Sequence, residues 1–237
     1  MKTSVHALLL ALVLSAVSTV ACAQLTASQA TVLLTRSEAG DKEALEILKQ
    51  KAEHADLKAQ FSLGLMYDTG KGVPQDYVEA AKWYRQAAEF GYIKAQINLG
   101  ILYENGQGMP QDYAEAMKWY RKAANWRDPW GEYAVGHLYD KGHGVPQDYA
   151  EAVKWYAKAA AQGIEQAEFS LGFMYANGLG VPQNRVEAIK WYKKAAIEGD
   201  KQAQANLQIM YQEESIAQSK LPRPVPWYKK ITKLLGL

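Results

Sequence analysis

The sequence predicts an all-α solenoid of helix-turn-helix repeats. Two observations predict it: a strict internal period of 36 residues, and a helical spacing of small and large apolar residues inside each period. Pro74, Pro110, Pro146 and Pro182 fall in one register, as do Gly64, Gly100, Gly136 and Gly172. So do the pairs Trp83-Tyr84, Trp119-Tyr120, Trp155-Tyr156 and Trp191-Tyr192, and the single residues Tyr67, Tyr103, Tyr139 and Tyr175. A chain of 237 residues could hold one or two ordinary domains, but a period without insertion or deletion favours an array whose core grows with each repeat.

Residues 1–23 read as an export signal. Lys2 supplies the positive start, Ala7 to Val20 the apolar stretch, and Ala21-Cys22-Ala23 a small-residue cleavage motif before Gln24. The apolar run is 14 residues, short of the roughly 20 needed to span a bilayer. The expected location is exported, periplasmic or secreted. A lipoprotein stays open as the alternative, because Cys22 follows a small residue, although Thr19 stands where such sites usually carry Leu. After simple cleavage the mature chain has no cysteine, so helix stacking and not disulfides must hold the fold.

Residues 24–58 read as a degenerate N-terminal capping repeat. Glu43-Ala44-Leu45-Glu46-Ile47-Leu48 lies 36 residues before Glu79-Ala80-Ala81-Lys82-Trp83-Tyr84, with aliphatics in place of the aromatic pair. The full repeats occupy 59–94, 95–130, 131–166 and 167–202. In the first helix of each, Ala59, Leu63, Gly64 and Tyr67 recur along one face. Glycine costs about 1 kcal/mol against alanine inside a helix, so the recurrence of Gly64 marks a packing notch beneath a close neighbour. Gly70-Lys71-Gly72-Val73-Pro74 ends this helix, because glycine permits positive φ and proline cannot continue the hydrogen-bond ladder.

The second helix begins at Asp76, Asp112, Asp148 or Asn184, each followed three residues later by Glu79, Glu115, Glu151 or Glu187, the spacing of a capping box. Ala80, Trp83 and Ala87 then follow at helical spacing, with the rings expected to bury against the neighbouring hairpin, and Gly91, Gly163 or Gly199 closes the helix. Residues 203–237 read as a degenerate C-terminal repeat. Ala203, Leu207 and Tyr211 continue the first-helix pattern, and Trp227-Tyr228-Lys229-Lys230 lies 36 residues after Trp191-Tyr192-Lys193-Lys194. Its loop has lost the glycines and gained Pro222, Pro224 and Pro226, which favour an extended connection before a short last helix. From Lys220 the tail is basic, with Trp227, Ile231 and Leu234 on one face, which fits a closing cap or contact with a membrane surface.

The motif A-x-x-x-L-G-x-x-Y-x-x-G-x-G-V-P-Q-D-Y-x-E-A-x-K-W-Y-x-x-A-A-x-x-G resembles the Sel-like repeat (SLR) family, related to tetratricopeptide repeats, over roughly Lys42 to Tyr211. The resemblance implies a right-handed superhelix of helical hairpins whose members mostly serve as adaptors, scaffolds or recognition modules. Some exported relatives carry a disulfide in each repeat and a few were linked to β-lactam binding. This chain has no cysteine pairs, so neither property carries over. Other exported relatives resemble receptors for host proteins or immunity partners of secreted effectors, and both are binding roles.

Signs of catalysis are few. The chain has no G-x-S-x-G, H-E-x-x-H or Walker sequence, and its single cysteine lies in the signal. The Gly-x-Gly loops end in Pro and an acidic cap, which disfavours phosphate. His137-x-x-Asp140-x-x-His143 has metal-liganding types, but His143 fills a slot that is Lys71, Gln107 or Leu179 in sister units. A net charge of +2 and export argue against nucleic acid. The reading is therefore a non-enzymatic protein-binding scaffold of the cell envelope, without cofactor or metal. The alternative is a cell-wall-associated enzyme or peptidoglycan-related hydrolase, and membrane contact is expected only through the basic tail or a lipidated Cys22.

Positions needed for stacking repeat identically, so specificity is written at first-helix positions that vary. One column is Leu65, Ile101, His137 and Phe173. Beside it run Phe61, Ile97, Tyr133 and Phe169, which read equally well as inter-repeat core. The polar column is Asp68, Glu104, Asp140 and Ala176, with Thr69, Asn105, Lys141 and Asn177 adjacent. By analogy with tetratricopeptide arrays these line the concave face, an apolar stripe rimmed by acids suited to an amphipathic or basic segment. The largest break in pattern is Trp126-Arg127-Asp128-Pro129-Trp130-Gly131, where Arg127 replaces the usual Gly and Gly131 the usual Ala. Asp128 as cap and Pro129 as first helical residue explain part of it. The tryptophans and Arg127 are residue types enriched in interface hot spots, so the turn joins the candidate partner site.

Overall fold

The structure is a computed structural model that describes residues 24–219. Its elements are α1 (Ala27–Glu38), α2 (Lys42–Glu53), α3 (Leu57–Thr69), α4 (Tyr77–Glu89), α5 (Ile93–Asn105), α6 (Tyr113–Asn125), α7 (Pro129–Lys141), α8 (Tyr149–Ala161), α9 (Glu165–Asn177), α10 (Arg185–Glu198) and α11 (Lys201–Ser219). The described residues are all helical with no strand, an all-α solenoid architecture in which consecutive helices pack in pairs. Residues 1–23, read above as an export signal and including Cys22, and the Pro-rich basic tail lie outside the described residues. Two compact units divide at Ile164 and Glu165, the first carrying α1–α8 and the second α9–α11. No described helix is long and apolar enough to cross a membrane.

Each repeat in the first unit owes its geometry to its glycines and caps. Gly70, Gly106 and Gly142 end α3, α5 and α7 in the left-handed region, at φ of 70°, 66° and 70°. The second loop glycine has a different task. A Cβ on Gly72 would collide with the Ser37 carbonyl, and one on Gly108 or Gly144 with the backbone at Tyr77 or Tyr113. These glycines let each loop lie against the start or end of a helix in the preceding hairpin, so the Gly-x-Gly pair both stops one helix and joins two repeats.

The second helices are capped by Asp76, Asp112, Asp148 and Asn184, whose side chains accept backbone N–H groups of the first turn. The reciprocal half of the expected capping box is not made. The cap's own N–H, which Glu79 would have taken, is donated at 2.9 Å to the Tyr67 carbonyl, and the Asp112 N–H goes likewise to Tyr103. Glu79, Glu115, Glu151 and Glu187 pair instead with Lys82, Lys118, Lys154 and Lys190 one turn on. The hairpin loop has already satisfied the donor, which leaves the glutamate free to form a surface ion pair.

The aromatic pair divides its labour. Tyr84, Tyr120 and Tyr156 are buried and seat against Gly64, Gly100 and Gly136 in their own hairpins. Trp83 packs back on the core of the preceding hairpin, around Leu48 and Ala52, together with Leu63 of its own. Trp119 does the same, sharing a core with Ala80, Ala81 and Tyr84 of the preceding hairpin. Arg85 donates to the Tyr103 hydroxyl at 2.7 Å and lies over its ring, a further link from one repeat to the next.

In the second unit Tyr192 seats against Gly172 and shares a core with Ala188, Ala195 and Ala203. Here α11 runs on to Ser219. Glu214 and Ile216 stand where Gly178 and Gly180 end α9, so nothing forces the helix to stop.

Candidate functional site

The variable first-helix residues of the first unit lie on α3, α5 and α7. Leu65 and His137 are half-buried, and Ile101 is 40% exposed. The acids beside them are not the free rim that their sequence positions imply. Tyr84 donates its hydroxyl to Asp68 Oδ2 at 3.0 Å and accepts from Asn98 Nδ2 at 2.9 Å. One repeat on, Tyr120 donates to Glu104 Oε2 at 2.6 Å, and His137 Nδ1 lies 3.6 Å from Glu104 Oε1. Asp140 pairs with exposed Lys141 at 2.9 Å. Buried tyrosine hydroxyls need acceptors, so the acid column serves the tyrosine notch before it serves any partner.

The electrostatics follow from these contacts. Burial pushes both tyrosines well above the usual phenol range, with the facing carboxylates adding to the effect, so both remain donors. Burial also pushes the Asp68 carboxyl up, only partly offset by the Tyr84 hydrogen bond. For Glu104 burial pulls upward too, but the His137 imidazole 3.6 Å away and the hydrogen bond from Tyr120 outweigh it and hold the carboxyl below its ordinary value.

Phe61, Ile97 and Tyr133 are half-buried against the core. Phe61 rests 5.8 Å from the Tyr84 ring and 5.2 Å from that of Tyr92, so the core reading of this column describes it better. His143 stacks on Tyr113 at 4.2 Å, and His137 lies against Tyr133. Among the described residues no three metal-liganding side chains are grouped.

In the turn between α6 and α7, Trp126 is 71% and Trp130 48% exposed, and Arg127 is exposed between them. Asp128 caps α7 through the N–H groups of Trp130 and Gly131, with Pro129 in its first turn. Gly131 is required by close approach: a Cβ there would lie 2.8 Å from the Ala124 nitrogen. Arg127 adopts φ +59°, in the region occupied by Gly91 and Gly163 at sister turns and by Ala55 in the N-terminal hairpin.

In the second unit Phe173 and Asn177 share a cavity of 700 Å³ with Arg185, Tyr192, Ile209 and Met210. Asn177 is exposed and donates to the Phe173 carbonyl.

Two polar columns escaped the sequence reading, one exposed in the loops and one buried. Gln75, Gln111, Gln147 and Gln183 each staple their loop to the last turn of the first helix, donating at 2.7 Å to the carbonyls of Asp68, Glu104, Asp140 and Ala176. Gln60, Gln96, Glu132 and Glu168 are all buried. Their signal was present as a repeated polar residue directly after the helix-start Ala or Gly, in a slot where a surface residue would look the same.

The Sel1 repeat family model matches residues 57–92, 93–125, 131–164 and 165–200. No curated protein sequence matches the chain. Among solved structures, the chain is similar to a protective antigen present in uropathogenic Escherichia coli strains that displays an SLR fold, at 40% identity and a TM-score of 0.72 over 77% of this chain. The chain spans only 41% of that protein's length. It is also similar to a Sel1 repeat protein from Oxalobacter formigenes, at 35% identity and a TM-score of 0.71, covering 78% of this chain and 79% of the other. Four matched repeats across more than half of the sequence, each folded as the helical hairpin its glycines and caps dictate, make the chain a member of the Sel1 repeat family.

Proposed function

We propose that this chain is a non-enzymatic scaffold of the bacterial cell envelope that binds a protein partner. Sel1 repeats generally act as protein-interaction scaffolds. In the first unit the proposed contacts are Leu65, Ile101 and His137 on the inner helices, with Asp68, Glu104, Asp140 and Lys141 beside them, and the turn Trp126, Arg127 and Trp130. Phe173 and Asn177 are the proposed contacts of the second unit.

One observation carries the reading: the framework positions Tyr84, Tyr120 and Tyr156 are buried, whereas Ile101, Trp126 and Trp130, at positions that differ between repeats, stand exposed on the rigid helices and turns that this framework fixes. Exposed tryptophans outside the repeat framework are the residue type that concentrates binding energy at interfaces. Export is proposed from the signal-like residues 1–23, and similarity to a protective antigen of Escherichia coli supports an envelope location. Directly downstream of the proposed cleavage site, the buried Leu25 donates its N–H to the Asp56 carboxylate, so the chain is anchored from there on.

The test is affinity capture from an envelope extract with cross-linking, comparing the wild type with Leu65→Glu/Ile101→Glu and with Trp126→Ala/Trp130→Ala. A partner retained by the wild type and lost from either variant, with helicity and melting unchanged, is the expected result. Equal capture by all three proteins overturns the assignment.

A further inference from the structure

The buried column Gln60, Gln96, Glu132 marks a site away from the inner face. Gln60 donates its Nε2 to the Ala52 carbonyl and Gln96 to the Ala88 carbonyl, both at 3.1 Å. In the third repeat the position is Glu132, only 5% exposed, and a carboxylate has no N–H for the corresponding carbonyl of Ala124. Glu132 accepts instead from Gln162 Nε2 at 2.7 Å. The change leaves two acceptors, the Glu132 carboxylate and the Ala124 carbonyl, the latter already bonded to the Arg127 N–H at 2.8 Å, where the first two full repeats add a glutamine donor to the carbonyl.

Around them is a cavity of 580 Å³, walled by Trp155 and Gln162 and flanked by Arg127 and Lys158. That volume is within the roughly 300–1,000 Å³ of pockets that bury drug-sized ligands, and is more than one ammonium group needs. Both cations are exposed, neither has an acidic partner among the described residues, and the Lys158 ammonium lies 3.6 Å over the Trp155 ring. Arg127 is held at φ +59°, a conformation that costs a non-glycine residue about 1–2 kcal/mol and that Gly91 and Gly163 adopt freely. The junction of the second and third repeats thus carries, at one cavity, a buried acid, a residue type shared at this position by Glu168 but not by Gln60 or Gln96, and a strained cation beside it.

We propose that this cavity binds a lysine side chain of an extended peptide with an acidic residue next to it. The lysine ammonium donates to the Glu132 carboxylate and the Ala124 carbonyl, supplying the N–H that Gln60 and Gln96 supply in their own repeats. The neighbouring acid pairs with Arg127 and Lys158. The site does not rest on the inner-face reading, since Glu132 is five residues, roughly 140° around the helix, from His137.

The test titrates the full chain with acetyl-Ala-Lys-Glu-Ala-amide, following the Trp155 indole N–H by NMR and the affinity by calorimetry. Glu132→Gln installs the residue that the first two full repeats carry as Gln60 and Gln96, so it keeps the fold, and it should weaken binding about tenfold or more. Arg127→Gly should weaken binding several-fold while raising the melting temperature. The matching probe with Met in place of Lys should not bind. Unchanged affinity in Glu132→Gln, or equal affinity for the Met probe or for free lysine, overturns the proposal. Leu65→Glu/Ile101→Glu should bind the probe as the wild type does, so failure of the inner-face site and failure of this one are read separately.

Discussion

The ring of Tyr84 occupies the space that a side chain on Gly64 would fill: a Cβ there would lie 2.5 Å from Tyr84 Cδ1 and 2.6 Å from Cε1. The same fit recurs between Gly100 and Tyr120, and between Gly136 and Tyr156. Because the ring is fully buried and its hydroxyl is fixed by Asp68 and Asn98, it cannot slide away from an added methyl. Gly64→Ala should therefore lose about 1–3 kcal/mol despite the higher helix propensity of alanine. Gly91→Ala, at φ +86° with open space around it, should lose only about 1 kcal/mol. Urea denaturation of the two variants checks the order, and a larger loss at Gly91 would contradict the packing account.

Arg127 is a strained residue in an exposed turn. Replacing it by glycine removes the left-handed penalty and adds chain entropy to the unfolded state, a net gain of about 1 kcal/mol. Thermal and urea unfolding of Arg127→Gly measure this directly. A loss of stability would show that the guanidinium holds the turn together.

Asp68 and Glu104 occupy the same register position and should respond to pH in opposite senses. Burial raises the Asp68 carboxyl, so its favourable contribution is present below its unfolded value near 3.8 and is lost as pH rises through the folded value. Asp68→Asn, which keeps an acceptor for Tyr84, should be more stable than the wild type at pH 7, with the difference vanishing near pH 3. Glu104 is depressed, so its contribution is present above about 4.5 and is lost as pH falls through the folded value. Glu104→Gln should be less stable at pH 7 and converge with the wild type in acid. Urea titrations at both pH values decide it, and the same sign at both residues would refute the assignment of causes.

Trp126 and Trp130 project from the turn without completing any core. Trp126→Ala/Trp130→Ala should cost only about 1 kcal/mol of folding stability, most of it from the half-covered Trp130 that meets Tyr133 edge-on, while weakening partner capture tenfold or more. A loss of several kcal/mol would mean that the tryptophans belong to the framework.

The loop glutamines offer a test of hairpin closure. Gln111 donates to the Glu104 carbonyl and to the Tyr113 hydroxyl, at 2.7 and 2.9 Å. Gln111→Ala should cost about 1–2 kcal/mol and raise amide exchange in the loop around Gly106 and Gly108. Unchanged exchange there would remove the staple role.

Fold and framework were legible in the sequence because they are fixed by local rules. A glycine that must take positive φ, an Asp or Asn that caps a helix, and a period of 36 residues each act within a few positions of the chain, and Gly70, Asp76 and Gly64 state them directly. Pairing between groups that compete for one partner was decided by tertiary structure alone. Spacing allowed Glu79 to complete a capping box, but the Tyr67 carbonyl reaches that N–H first. Composition made Asp68 and Glu104 a free acidic rim, but the buried Tyr84 and Tyr120 hydroxyls claim them. Nothing in the sequence distinguishes Glu132 from a surface acid, yet neighbouring helices enclose it. A donor or acceptor can take any of several partners along the sequence, and only the distances set by packed helices choose among them.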